Sequence, residues 1–256
     1  MGQELENTQK PDASPPVDGA PGVKREKVQV GVAAALNEKR AAGWPVVCIS
    51  SDLQGSTGTG GFHKAYPDAS FDVGVAEANM VSAAAGFSKQ GFVPVVDTFS
   101  QFGVTKGALP MIMASLSEAP ILAIYSHIGF QDAADGASHQ ALTYFSMTAS
   151  IPHTDTYCLT CSSEAQALVG QAIDEFIEAR QRGRTPRSKI FFLGRENFPQ
   201  AYTAKPEYQL GRAQVLFDNS AEAQQPVTVV ASGALLPQAL EAAHKRAEQG
   251  RATLVV

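Results

Sequence analysis

Only three cysteines occur in the 256 residues, Cys48, Cys158 and Cys161. So small and odd a number excludes the disulfide framework of a secreted mini-domain, and it leaves a single C-x-x-C with no second pair to complete a zinc ribbon. Long apolar runs are also missing. Nothing approaches the roughly 18 residues of a membrane helix, and the opening MGQELENTQKPDASPPVDGAPG has no apolar centre for a signal peptide. A membrane partner is therefore not expected, and a cytoplasmic setting is. Nor is there an excess of basic charge: 20 Lys and Arg against 25 Asp and Glu give a net charge of -5. That balance excludes a surface built mainly to neutralise nucleic-acid phosphates. What the chain does have is a 44% share of hydrophobic residues with 22 glycines and 15 prolines, the profile of a globular protein. At this length about 70–75% of the unfolded surface can be buried, so no disulfide or metal staple is required.

Residues 1–24 hold four prolines, three glycines and few large apolar side chains, which predicts a disordered tail or linker. Beyond them short apolar runs alternate with helical patterns. VVCIS at 46–50, FDVGV at 71–75, FVPVVDTF at 92–99, PILAIYSH at 120–127, SKIFFLG at 188–194 and VTVVAS at 227–232 read as strands buried on both faces. The clearest helix is 162–182, where Ala165, Leu168, Val169, Ala172, Ile173, Phe176 and Ile177 recur on one face, with Ser162 or Ser163 as N-cap. Strand and helix in steady alternation predict an α/β fold, a mainly parallel sheet with helices on both faces. The main domain is expected over 25–200, a polar linker over 201–225, and the start of a smaller α/β unit over 226–256. Thirty residues cannot bury a core of their own, so that unit either packs on the first or belongs to something longer.

Ligands of such sheets sit beyond the carboxyl ends of the strands, which directs attention to the loops there. Glu77 opens the helix EANMVSAAAGFSKQG; it is either a carboxylate favoured by the helix dipole or a buried acid sharing a proton with a ligand nitrogen. The small residues Ala83 to Gly86 allow that helix a close approach to another surface. The loop SHIGFQDAADGASHQ carries His127, Asp132, Asp135 and His139; the gap between its histidines fits no common zinc spacing, and no metal site is assigned. His139 either acts on a ligand or caps the next helix, and Asp135 with Gly136 is either a site or a turn. Phe99 and Phe102 end a strand, where they belong to the core or flank a planar ring. Arg195 holds an anion or pairs with Glu196. Cys158 and Cys161 read as incidental rather than redox-active, and His63, His153 and His244 are given no role.

In order along the chain, SDLQGST, FDVGVAEANM, GFVPVVDTFSQF, SHIGFQDAADGASHQ and LGRENFPQ resemble the pyrimidine-binding domain of transketolases, over about residues 27–200. Residues 227–256 are similar to the opening of that family's C-terminal domain. The resemblance implies thiamine diphosphate as cofactor and transfer of a two-carbon ketol unit from a ketose phosphate to an aldose phosphate. On it, Glu77 matches the glutamate that hydrogen-bonds the aminopyrimidine and, with His139, makes up the catalytic pair. Phe99 and Phe102 match the aromatic residues around that ring, and Asp52 a loop near cofactor and dimer contact. Asp135 and His139 match groups that touch the ketose donor, while Ser56, His127 and Arg195 match those that bind the sugar phosphate.

Within the resemblance the sequence departs at several points. Arg25 is the nearest counterpart of a further phosphate ligand, Thr105 stands where the family has an aromatic residue, and Ala134 replaces an acid before Asp135. The family's diphosphate-binding domain, with its G-D-G and following asparagine, has no counterpart. The resemblance thus implies the C-terminal subunit of a split transketolase, joined to an N-terminal diphosphate-binding subunit that holds most of the Mg2+ contacts, the pair assembling into a heterotetramer. The alternatives are a non-catalytic binding or scaffold subunit of the same fold, and a related thiamine diphosphate-dependent synthase or transferase acting on a different sugar.

Overall fold

The computed structural model describes residues 24–203, 206–220 and 226–256. The tail expected over residues 1–24 thus lies outside the described residues except for Lys24, as do residues 204–205 and 221–225 of the expected linker.

Six strands form the central sheet: β2 (Val46–Ser50), β3 (Ser70–Asp72), β4 (Val93–Phe99), β5 (Leu122–Ser126), β6 (Thr154–Cys158) and β7 (Ser188–Phe192). All pairings are parallel, in the order β3-β2-β4-β5-β7-β6. β2, β4, β5 and β7 are buried at every position, in keeping with their largely apolar text for strands covered on both faces. The two edges depart from the expectation. β3 is partly exposed rather than buried and stops at Asp72, short of the expected 75, and β6, whose TDTYC is too polar to read as a core strand, was not expected at all.

The helices around the sheet are α1 (Gln29–Ala41), α2 (Gln54–Thr57), α3 (Gly60–Ala65), α4 (Glu77–Lys89), α5 (Ser100–Thr105), α6 (Ala108–Leu116), α7 (Tyr144–Thr148) and α8 (Ser162–Gln181). All seven residues of the predicted α8 stripe are buried, and α8 packs along α1. Gly31 makes that crossing possible, because a Cβ there would stand 1.9 Å from the Ser162 carbonyl oxygen. Cys161, not a serine, takes the N-cap position of α8; Ser162 Oγ instead donates to Glu26 Oε1 at 2.6 Å. Glu164 reaches back beyond the cap, its carboxylate accepting from the Thr160 N–H and hydroxyl at 2.6 and 2.5 Å, and the Ser163 N–H of the first turn donates to the Gln200 carbonyl at 3.1 Å. On α4 the close approach is made by Ala84, whereas Gly86 faces open space.

A two-stranded ribbon of β1 (Arg25–Lys27) and β8 (Asn197–Pro199) brings the start of the main unit against the loop that follows β7. The C-terminal unit is a three-stranded sheet of β9 (Phe217–Asp218), β10 (Val227–Val229) and β11 (Thr253–Val255) with helix α9 (Leu236–Glu248). β9 falls inside the stretch read as linker, and β10 is largely exposed rather than buried on both faces. This unit packs on the first. Cys161 shares a cluster with Leu236, Leu240 and Val255, and Tyr208 Oη lies 3.3 Å from Cys161 Sγ. All three cysteines are free and buried, and burial pushes the Cys158 thiol up to about 12, away from the reactive thiolate form. Among the described residues, no helix is long and apolar enough to cross a membrane.

Candidate active site

Five loops at the carboxyl ends of the sheet strands carry the residues singled out in the sequence. Asp52 and Ser56 follow β2, Glu77 follows β3, Phe99 and Phe102 close β4 and open α5, His127 follows β5 with Asp135 and His139 in the same loop, and Arg195 follows β7. Two of these residues, Asp52 and His127, hold left-handed backbone with φ of +61° and +63°. Non-glycine residues avoid that region at a cost of about 1–2 kcal/mol, so the surrounding structure must impose it.

An aromatic cluster forms the centre. The Phe99 and Phe102 rings lie 6.2 Å apart and 20° from parallel; His127 meets Phe99 at 4.0 Å, and His139 meets Phe102 edge-on at 5.0 Å. α5 can sit this close to β5 because Gly103 rests on the Tyr125 ring, where a Cβ would come within 2.6–2.7 Å. His139 does not cap a helix. Its Nδ1 shares a hydrogen bond with Ser138 Oγ, and its N–H closes a turn on the Gly136 carbonyl. Asp135 stands exposed in that turn.

Glu77 is 2% exposed although it opens α4. Its carboxylate faces Lys106, whose ammonium lies 3.6 Å from Oε2 and 5.1 Å from the Phe102 ring centre. Lys106 was not singled out from sequence, yet its place four residues beyond Phe102, one helical turn, was a usable signal. Asp97 is a second buried carboxylate nearby on β4. It accepts from Ser50 Oγ at 3.0 Å and Thr57 Oγ1 at 2.6 Å, and burial raises it to about 6. Asp52 is exposed and turns its N–H to Asp72 Oδ1 at 3.1 Å; nothing ties it to the aromatic cluster.

At the other end, Arg195 does not pair with Glu196. Its NH1 donates to Asp132 Oδ1 at 2.7 Å, and its backbone N–H donates to Gln131 Oε1 at 2.6 Å. Gln29, at the start of α1, joins this loop to the one after β2, its Nε2 donating to the Gly194 carbonyl at 3.0 Å and the Ser56 carbonyl at 3.4 Å. The His127 Nδ1 shares a 2.8 Å hydrogen bond with Ser126 Oγ. Burial drives this imidazole down to about 4, with Asp132 opposing and Arg195 and Lys27 adding to the fall, so it is neutral at pH 7. Gln29, Gln131 and Asp132 thus complete the site, and their partners lie 27 to 165 residues away in the chain, beyond the reach of local pattern.

A buried carboxylate whose partner Lys106 lies over Phe102, with Phe99 stacked on that ring, suits a planar heterocycle with hydrogen-bonding nitrogens, so the donor set fits an aminopyrimidine. Among the described residues, no group of three or more His, Cys, Asp or Glu is arranged to hold a metal ion.

Residues 27–189 match the family model described as transketolase, pyrimidine binding domain. A putative transketolase C-terminal section of Methanocaldococcus jannaschii is 29% identical over 214 residues, covering 82% of this chain and 63% of that protein. Transketolase-like protein 2 of Mus musculus is 29% identical over 210 residues, covering 80% of this chain and 31% of that protein. Among solved structures, one described as a split-gene transketolase in an inactive β4 tetramer superposes with a TM-score of 0.71 at 26% identity, over 90% of this chain and 70% of that one. The chain spans between about one third and two thirds of the length of these curated relatives.

Proposed function

Because the chain belongs to the family of the transketolase pyrimidine-binding domain, we propose that it is the pyrimidine-binding half of a thiamine diphosphate-dependent ketol transferase, completed by a second chain that binds the diphosphate and Mg2+. The observation that carries this reading is Glu77, 2% exposed, with its carboxylate 3.6 Å from the Lys106 ammonium, which itself lies 5.1 Å from the centre of the Phe102 ring in the cluster of Phe99, His127 and His139. When bound, thiamine diphosphate supplies the carbon nucleophile that takes up and passes on a two-carbon unit. Glu77 holds a proton at the pyrimidine nitrogen, the general acid/base work of a positioned carboxyl. Phe99 and Phe102 orient the ring and exclude water. His139 and Asp135 address the hydroxyls of the two-carbon unit, and Ser56, His127 and Arg195 the far end of the donor sugar. Asp52 is assigned to the rim shared with the other chain.

A separate partner is supported by two features. One solved relative is described as a split-gene transketolase in an inactive β4 tetramer, and another relative as a putative transketolase C-terminal section. Exposed apolar side chains supply a surface for it: Leu109, Met113 and Leu116 along α6, and Val75 two residues before Glu77. Two copies of each chain would make the heterotetramer. The test is Glu77→Gln in the assembled complex. Transfer dependent on thiamine diphosphate is expected to fall by about 10²–10⁴, the range for loss of a general acid/base. Undiminished transfer would falsify the assignment.

A further inference from the structure

Asp97 lies inside β4 at 0% exposure, two residues before Phe99, where an apolar side chain would cost the fold less. Its Oδ2 accepts from two hydroxyls of the segment that leaves β2: Ser50 Oγ at 3.0 Å and Thr57 Oγ1 at 2.6 Å, 47 and 40 residues earlier in the chain. The Thr57 hydroxyl has one proton and two acceptors within reach. The carboxylate at 2.6 Å takes it over the Leu53 carbonyl at 3.2 Å, because the bond to a charged oxygen is the shorter and the stronger. Thr57 Oγ1 is then the acceptor at its 3.3 Å contact with Thr59 Oγ1, and Ser50 Oγ accepts from the Leu53 N–H at 3.2 Å. One carboxylate oxygen thus fixes Ser50 and Thr57 directly, and Leu53 and Thr59 through them. The Asp97 carbonyl adds the Ser51 N–H at 3.4 Å. Ser50, Ser51, Thr57 and Thr59 are all buried, so the clamp lies beneath the segment that carries Asp52 and Ser56. That segment has a second tie, from Gln29 Nε2 to the Ser56 carbonyl, but at 3.4 Å it is the weaker hold.

We propose that Asp97 is a positioning residue for the donor sugar: from inside the sheet it clamps residues 50–59 and so sets where the Ser56 hydroxyl stands. Having no surface, Asp97 itself touches no substrate. The inference rests on the assignment above of Ser56 to the far end of the donor.

The test uses the full chain purified with its native companions and supplied with thiamine diphosphate and Mg2+, at pH 8, where Asp97, raised to about 6, is ionised. Ketol transfer from fructose 6-phosphate to an aldose phosphate is measured for the wild type, Asp97→Ala and Asp97→Asn, and amide hydrogen exchange is followed on the same samples. Asp97→Ala removes the shared acceptor. KM for the donor should rise by about tenfold or more while kcat changes by less than about threefold, the pattern of lost ground-state positioning. Exchange of the amides within 50–59 should quicken by about tenfold or more, with the rest of the sheet unaffected. Asp97→Asn keeps an oxygen where the two hydroxyls meet and should restore most of both. Unchanged KM and unchanged exchange in Asp97→Ala overturn the proposal. So does a fall in kcat alone, or faster exchange spread evenly over the chain, since either makes Asp97 a support of the whole fold. An asparagine variant no better than the alanine one overturns it as well, because the acceptor would then not be what matters. If Asp97→Ala does not fold, Thr57→Val, which removes the 2.6 Å bond and keeps the shape of the side chain, must show the same rise in KM and the same local exchange; wild-type behaviour there sinks the clamp. Absence of transfer by every protein, the wild type included, refutes the ketol-transferase reading instead, and exchange then decides the clamp alone.

Discussion

Replacing Asp97 by asparagine should make stability less sensitive to pH, with a magnitude the structure sets. Asp97 is fully buried on β4, with Ser50 and Thr57 hydroxyls on one oxygen and no partner on the other. Desolvation lifts it from 3.8 to about 6 against the pull of those hydrogen bonds. Between these two values the folded state binds a proton that the unfolded state has released, so stability falls as pH rises through the window and stays lower above it. At 1.36 kcal/mol per decade the full loss is about 3 kcal/mol, of which roughly half has accrued by pH 5. The Asp97→Asn side chain would carry no such dependence, though its amide hydrogens would occupy the unpartnered side at about 1–3 kcal/mol, a constant offset. Urea unfolding of both proteins at pH 5 and pH 8 removes that offset and every shared group. The variant should gain about 1.4 kcal/mol on the wild type between the two. No change in the difference, or a change of opposite sign, would refute a buried carboxylate destabilised by its own charge.

Gly103→Ala should destabilise the chain by about 1–3 kcal/mol, because the new methyl meets the buried Tyr125 ring within 2.7 Å; a melting temperature unchanged in calorimetry would show that α5 moves freely. Lys106→Met removes both the ion pair to Glu77 and the contact over Phe102, so thiamine diphosphate, no longer competing with the ammonium, should bind up to about tenfold tighter in a calorimetric titration. Weaker binding would show that Lys106 assists the cofactor. The buried thiols should remain unmodified by a disulfide reagent at pH 8 until the protein is unfolded, and rapid native labelling of Cys158 would contradict a thiol raised to about 12.

The strand text of β2 and β4 was legible to within a residue, because a strand covered on both faces is written mainly in apolar letters, interrupted in β4 only by Asp97 and Thr98 near its end. The α8 stripe was legible for the same reason, its seven apolar positions all facing one side. β3 and β6 were not, since an edge strand meets water on one side and admits Ser, Asp and Thr, which blur its ends. In the site, Glu77, Phe99, Phe102, His127 and His139 could be located by their places after strands. Asp97 was visible only as a charge inside VPVVDTF, and neither its depth nor its hydroxyl partners follow from that. Arg195 shows the limit most clearly. The neighbour in sequence, Glu196, suggested one pair, whereas the fold supplies Asp132 from 63 residues earlier.

The parallel order of the main sheet has a consequence in time. β5 pairs on one side with β4, which precedes it, and on the other with β7, which is made roughly sixty residues after it. At 5–20 residues per second that is about 3–12 s of synthesis, during which one apolar edge of a central strand has no partner. No hairpin can close early to cover it, since every pairing in this sheet requires a crossover. The strand that finally delivers His127 to the site is thus the segment most open to aggregation on the ribosome. How much chain reaches the folded state is set by what shields β5 in those seconds as well as by the stability of the finished fold.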